Sequence, residues 1–248
     1  MKRFAPLIAI AFVSIVTPAF AEMNIDVVVD GLNNPWEMVF ASNGDIYFSE
    51  RDGRVWKIEN FGEAKVIQTF PKSGSYEGGT LGLALHPNFE ENKKIYIYQT
   101  NLELEFFQNK VFSFTVDGDG LGDMQTVIDD IPGAPWHDGG RIAFGPDDKL
   151  YITTGDAVNP GWSQDLSSLA GKILRINPDG TIPDDNPFDS SAIFSYGHRN
   201  PQGIAWNEDG LLVSSEHGPS GEMGYGHDEI NVIVKGENYG WPKVVGDS

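Results

Sequence analysis

Short runs of β-branched and aromatic residues recur along the chain, broken by Gly, Pro, Asn and Asp, as in antiparallel strands joined by turns. Asp45-Ile-Tyr-Phe-Ser49, Lys94-Ile-Tyr-Ile-Tyr98, Lys149-Leu-Tyr-Ile-Thr153 and Gly210-Leu-Leu-Val-Ser214 are versions of one strand. Each follows a turn: Ser42-Asn-Gly44, the stretch from His86 to Asn92, Gly145-Pro-Asp-Asp148 and Asn207-Glu-Asp-Gly210. A partner strand comes after each: Arg54-Val-Trp-Lys-Ile-Glu59, Lys110-Val-Phe-Ser-Phe-Thr115, Lys172-Ile-Leu-Arg-Ile-Asn177 and Glu229-Ile-Asn-Val-Ile-Val234. Helical periodicity is nearly absent.

The repeat is roughly 50–60 residues long, the period of long-loop propeller blades. Four-stranded blades set radially bury their faces against their neighbours. A two-sheet sandwich also uses short strands but does not account for a fixed internal order, so the pattern predicts an all-β propeller. Four repeats fill residues 25–248, and no closing strand is evident after Trp241. An open ring leaves unpaired sheet edges, so the expectation is a propeller incomplete at its C-terminus.

Composition adds the compartment. Lys2 and Arg3, an apolar run from Phe4 to Val16 and the small-residue stretch Thr17-Pro-Ala-Phe-Ala21 have the order of a secretory signal. The expected division is a signal peptide over 1–21 and a propeller domain over 22–248, in a periplasmic or secreted protein. The apolar run is short for a bilayer span, and nothing later approaches one, so no stable membrane insertion is expected. Asp and Glu number 36 against 17 Lys and Arg, a net charge of −19, which argues against nucleic-acid or anionic-lipid partners. The absence of cysteine rules out disulfides, thiolate catalysis and thiolate-bound metals, leaving oxygen ligands of the kind calcium takes.

Candidate chemistry gathers in the loops. His137 follows the Pro- and Gly-rich approach Ile131-Pro-Gly-Ala-Pro-Trp136, and Asp156 closes the strand unit behind it. A loop histidine with a nearby carboxylate suits a general base, although spacing alone equally allows a histidine that only ties loops together. Arg199 and Asn200 precede Pro201 and so belong to a turn. A guanidinium there offers donors to a carboxylate or a developing oxyanion, or bridges blades structurally. The loop Glu216-His-Gly-Pro-Ser-Gly-Glu-Met-Gly-Tyr-Gly-His-Asp-Glu-Ile230 is either a calcium-binding turn of carbonyls and acids or a plain surface connection. Asp117-Gly-Asp-Gly-Leu-Gly-Asp123 fails as an EF-hand, with Leu121 and Ile128 where ligands belong, and reads as a hairpin turn. No P-loop, nucleophile elbow or dinucleotide fingerprint is present.

A set of ordered motifs carries a resemblance: Asn34-Pro-Trp-Glu37, Gly78-Gly-Thr-Leu-Gly-Leu-Ala-Leu-His-Pro-Asn-Phe89, His137-Asp-Gly-Gly-Arg141, Leu169-Ala-Gly-Lys-Ile-Leu-Arg-Ile-Asn177, Ile182-Pro-Asp-Asp-Asn-Pro-Phe188, Gly197-His-Arg-Asn-Pro-Gln-Gly203, Glu216-His-Gly-Pro219 and Asn238-Tyr-Gly-Trp-Pro242. With these the chain resembles the soluble aldose sugar dehydrogenases that use pyrroloquinoline quinone, the soluble glucose dehydrogenase family.

The resemblance implies a six-bladed propeller, of which this chain holds about four blades, with quinone and calcium at the top of a central channel. It implies His137 as the base at the anomeric hydroxyl, Asp156 as the aspartate that orients it, Arg199 as the partner of the quinone oxygen, and Asn200 against the cofactor. It further implies calcium (Ca2+) carried by carbonyls of Gly218 and Pro219, and a second, structural calcium near Asp228, Glu229 and Tyr239. An aldose substrate and an external electron acceptor follow, and the family admits a homodimer. Glu77 stands where many relatives place a glutamine beside cofactor and sugar. The family's later lysines and arginines, which grip the quinone carboxylates, lie beyond Ser248. Two other readings stay open: a non-catalytic propeller binding module, and a calcium-dependent lactone hydrolase on a similar propeller.

Overall fold

A computed structural model describes residues 26–72, 76–103, 106–219 and 226–246. The expected signal segment, residues 1–21, lies outside the described residues. Fifteen strands form four antiparallel sheets, and within each sheet neighbours in sequence are neighbours in space. The first sheet joins β1 (Pro35–Phe40), β2 (Ile46–Glu50), β3 (Arg54–Ile58) and β4 (Ala64–Thr69). The second joins β5 (Thr80–Leu85), β6 (Lys94–Glu103), β7 (Phe106–Asp117) and β8 (Gly120–Pro132). The third joins β9 (Ile142–Phe144), β10 (Leu150–Thr154), β11 (Lys172–Ile176) and β12 (Ile193–Tyr196). The fourth joins β13 (Pro201–Trp206), β14 (Leu212–Glu216) and β15 (Glu229–Ile233). These are the blades of a β-propeller, each built on the strand pair that the repeat predicts. The fourth blade has three described strands where four are expected.

Burial explains the arrangement. In the second blade Ile95, Tyr96, Ile97 and Tyr98 are buried in succession, which requires cover on both faces of the sheet. One cover is the cluster of Tyr47, Val55 and Ile67 with Leu83, Ile95, Ile97 and Phe114, between the first and second blades. The other is the cluster of Leu81, Tyr96, Tyr98 and Val111 with Ile142, Ile152 and Leu174, between the second and third. The outer faces of β1 and β15, in the first and last blades, lack such cover: Met38 and Phe40 are exposed on β1, as are Ile230 and Val232 on β15. The inner strands pack in turn, β1 on β5, β5 on β9 and β9 on β13. Asp117 pairs with Gly120 across a two-residue turn, so the rejected EF-hand is a hairpin.

Topology then decides where function sits. Strands alternate in direction within a blade, so the link from second to third strand emerges on the same face as the link to the next blade. That face receives Arg51, Glu77, His137, Asp156, Arg199 and His217, all from such links. Among the described residues helical structure is limited to a turn, α1 (Phe89–Asn92), and a 3-10 turn at Pro160–Gln164. Among the described residues no helix is long and apolar enough to cross a membrane.

Candidate active site

The loop from β8 to β9 is fixed from beneath before it presents His137. Buried Asp138 accepts hydrogen bonds from Asn109 Nδ2 and the Ala134 amide, both at 3.1 Å, and the Tyr98 hydroxyl donates to the Asp138 carbonyl at 2.7 Å. His137 takes a left-handed backbone conformation, φ 63°, a strained choice for a residue with a Cβ. Glu77, from the neighbouring link, holds that turn by accepting the His137 amide at 2.8 Å.

Asp156 arrives from the end of β10. Its Oδ1 lies 2.7 Å from His137 Nδ1 and also accepts the Val158 amide at 2.9 Å. Its Oδ2 accepts the Trp241 indole Nε1 at 2.8 Å. A carboxylate only accepts, so Nδ1 carries the hydrogen and the lone pair of His137 is left on Nε2. Gly155 is needed here because a Cβ would stand 1.9 Å from the His137 carbonyl.

The link from β12 to β13 adds the next groups. The Arg199 carbonyl accepts the Asp156 amide at 2.7 Å, joining the two loops through their backbones. Beneath lies a buried chain of three side chains. Ser195 Oγ meets His198 Nε2 at 2.8 Å, His198 Nδ1 meets Glu216 Oε2 at 2.8 Å, and Glu216 Oε1 accepts the Arg199 amide. The Arg199 guanidinium lies over the Trp241 ring, 5.5 Å from its centroid, and donates to the His217 carbonyl at 3.2 Å. Buried Asn200 uses its carboxamide oxygen to accept the Gly139 amide at 3.0 Å and Gln202 Nε2 at 3.2 Å. A cavity of about 170 Å³ opens beside them, lined by Trp36, Arg51, Glu77, Gly139, Asn200 and His217.

With this geometry, comparison is decisive. The profile of the glucose/sorbosone dehydrogenase family matches residues 32–248. The chain belongs to the glucose/sorbosone dehydrogenase family. The aldose sugar dehydrogenase YliI of Escherichia coli (strain K12) is 34% identical over 252 residues, covering 96% of this chain and 66% of that protein. Quinoprotein glucose dehydrogenase B of Acinetobacter calcoaceticus is 33% identical over 255 residues, covering 89% of this chain and 52% of its own length. The PQQ-bound aldose sugar dehydrogenase of Streptomyces coelicolor superposes with a TM-score of 0.82 at 39% identity, covering 90% of this chain and 67% of that one. The chain thus spans between half and two thirds of the length of these curated relatives.

For this family member, His137, Asp156, Arg199, Asn200 and Glu77 converge on one rim. The remaining predicted residues divide. Gly218, Pro219, Glu229 and Tyr239 surround a small pocket with Arg199 and Trp241. Several of their polar groups also make local hydrogen bonds. Asp228 accepts the Gly218 amide at 2.9 Å, Glu229 accepts Asn231 Nδ2 at 3.0 Å, and the Tyr239 hydroxyl donates to the Val232 carbonyl while accepting the Val234 amide. Among the described residues no three acidic or histidine side chains cluster as a metal site. Asp228, Glu229 and the Tyr239 hydroxyl thus each take part in local hydrogen bonding, and their expected role as calcium ligands remains a proposal.

The quinone fares differently. It is a planar, anionic molecule, and the rim supplies two guanidinium groups, Arg51 and Arg199, that have no carboxylate partner among the described residues. In a protein with twice as many acids as bases, two such cations on one rim fit an anionic ligand.

Trp241, Glu216, His198 and Arg51 are the residues that sequence reasoning did not assign. Trp241, His198 and Glu216 lie inside motifs that carry the resemblance, which was the available signal; Arg51 had none.

Proposed function

We propose that the protein containing this chain oxidises aldose sugars at C1 to lactones, with pyrroloquinoline quinone as its cofactor. What supports the reading is the hydrogen bond of 2.7 Å between His137 Nδ1 and Asp156, which leaves Nε2 as a base on a rim bearing unpaired guanidinium groups. His137 Nε2 takes the proton of the anomeric hydroxyl as the C1–H bond breaks and C1 becomes a carbonyl. Asp156 keeps the ring in its tautomer and stabilises the imidazolium that forms. A bound quinone would supply the two-electron, hydride-accepting chemistry that this oxidation needs. Arg199 and Asn200 would hold it, the guanidinium offsetting negative charge as it develops.

Calcium belongs to the proposal through the backbone carbonyls of Gly218 and Pro219 and, at a second site, through Asp228, Glu229 and Tyr239, and no step is assigned to it. An external acceptor takes the electrons onward, and a periplasmic or secreted location suits an acidic, cysteine-free chain. The test is sugar-dependent dye reduction that requires added quinone and calcium and is lost in His137→Ala. Full activity in that variant would overturn the assignment of the base. Lactone hydrolysis without quinone would favour a hydrolase instead.

A further inference from the structure

Just outside the rim, two aromatic side chains from different links stack on each other in the open. The Tyr76 and Trp136 rings are nearly parallel, 3° apart, with centroids 5.1 Å apart, an offset stack. Both remain largely accessible, Tyr76 69% and Trp136 46% exposed. Most other exposed large apolar side chains that are clustered lie on blade faces, such as Met38, Phe40, Ile230 and Val232, where alternation in a terminal blade leaves them. This pair lies instead on the functional face, in the links that also carry Glu77 and His137.

Its position is set by backbone bonds. The Glu77 amide donates to the Pro135 carbonyl at 3.0 Å and the His137 amide donates to the Glu77 carboxylate at 2.8 Å. Through Glu77 these two bonds tie the link carrying Tyr76 to the residues on either side of Trp136. Accessibility falls inward from the pair, from 46% at Trp136 to 18% for the His137 side chain and 0% for that of Asp156. The exposed pair thus adjoins the half-buried base in the chain, Trp136 directly preceding His137.

Large, flat, rigid aromatic faces beside hydrogen-bonding carboxylates and guanidinium groups suit one ligand chemistry well. The C–H face of a pyranose packs on an aromatic ring while its hydroxyls meet polar groups at the edge. We propose that Trp136 and Tyr76 form a pyranose-stacking subsite that holds the second ring of an oligosaccharide while its reducing-end ring reaches His137. The proposal rests on the sugar-oxidation reading for the identity of the inner ring. Glu77 and Arg51, which line the adjoining cavity, are the polar groups placed to meet hydroxyls at the junction.

The experiment compares maltose with glucose in the protein loaded with quinone and calcium, for wild type, Trp136→Ala, Tyr76→Ala and Trp136→Phe. The alanine variants are expected to lower kcat/KM for maltose about tenfold relative to glucose, mainly through KM, about 1.4 kcal/mol of binding. Trp136→Phe should restore most of that ratio, since a flat face remains. An unchanged maltose-to-glucose ratio in both alanine variants overturns the subsite. Binding of maltotriose to the quinone-free protein, followed by saturation-transfer NMR, separates the subsite from the reaction. Loss of that binding in Trp136→Ala supports the subsite even if no aldose is oxidised, which would sink only the reaction reading. Equal binding in wild type and variant, or none in either, overturns the subsite.

Discussion

Trp241 and Asp156 are 85 positions apart in the chain, yet the indole Nε1 of one donates to Oδ2 of the other at 2.8 Å. The bond links the segment after β15 to the end of β10, and both its residues are buried. The same indole ring lies under the Arg199 guanidinium. One tryptophan therefore steadies both the carboxylate behind the base and the cation proposed to meet the quinone.

Trp241→Phe keeps an aromatic face under Arg199 but removes the indole donor. A buried carboxylate oxygen left short of a partner costs about 1–3 kcal/mol. The variant is expected to unfold at lower denaturant concentration by that amount and to lose about tenfold in kcat. Equilibrium denaturation and steady-state dye reduction measure the two effects. Unchanged stability would mean that solvent replaces the donor.

Asp156→Asn and His137→Ala should act on one step. General-base catalysis contributes about 10²–10⁴-fold, so each variant is expected to lose kcat in that range with little change in sugar KM. In the proposed reaction both residues serve the same proton transfer, so the double variant should be hardly slower than His137→Ala alone. Multiplicative losses in the double variant would show that Asp156 acts independently of His137.

Glu216 accepts from both His198 Nδ1 and the Arg199 amide, in a setting closed to water. Glu216→Gln places an NH₂ against one of these donors, which breaks one bond and weakens the turn carrying Arg199 and Asn200. A stability loss of about 1–3 kcal/mol is expected, with a higher quinone concentration needed for half-maximal activity. Ser195→Ala, at the far end of the chain of bonds, should cost about 1 kcal/mol and leave quinone titration nearly unaffected. A normal quinone titration in Glu216→Gln would restrict that residue to stability.

Lys172 is fully buried, its ammonium donating to the carbonyls of Trp162, Ser163 and Ala170 at 2.7, 3.2 and 2.6 Å. Burial pushes its pKa down to about 8 from 10.5. Between these values the unfolded chain holds a proton that the folded chain has released, so stability contributed by this group rises with pH. Below pH 8 both states are protonated and the contribution is flat and least favourable. The unfolding free energy of wild type, followed from pH 7 to 10, should therefore climb relative to Lys172→Met across pH 8–10. Parallel curves would place the Lys172 pKa near its ordinary value.

Glycine posts in the fold make the same point about close approach. Gly155 is flanked by the His137 carbonyl, and Gly139 (φ 66°) by the Thr153 carbonyl, where a Cβ would lie 2.6 Å away. Sequence alone shows these glycines without saying which of the chain's 29 are indispensable. Contact with a second loop is what distinguishes them.

Much of the fold was legible because strand signals are local. β2, β6, β10 and β14 begin within two residues of the runs that predict them, and β3, β11 and β15 begin where their partner runs do. The inner strands β1, β5, β9 and β13 were legible only as motifs. They pack on one another from different blades, a tertiary circumstance that leaves no period of its own. The proposed base and its aspartate rest on a histidine on a loop and a carboxylate at a strand end, which the structure brings within 2.7 Å.

By itself the sequence determined the repeat, the strand pairs within it, the all-β class and the residue types able to carry proton transfer, since each depends on neighbours a few positions away. Only the tertiary structure decided which oxygens of Asp156 face His137 and Trp241, that Glu216 sits beneath Arg199, and that Tyr76 stacks on Trp136. Those contacts join links from different blades, and their distances follow from how the sheets pack around the axis.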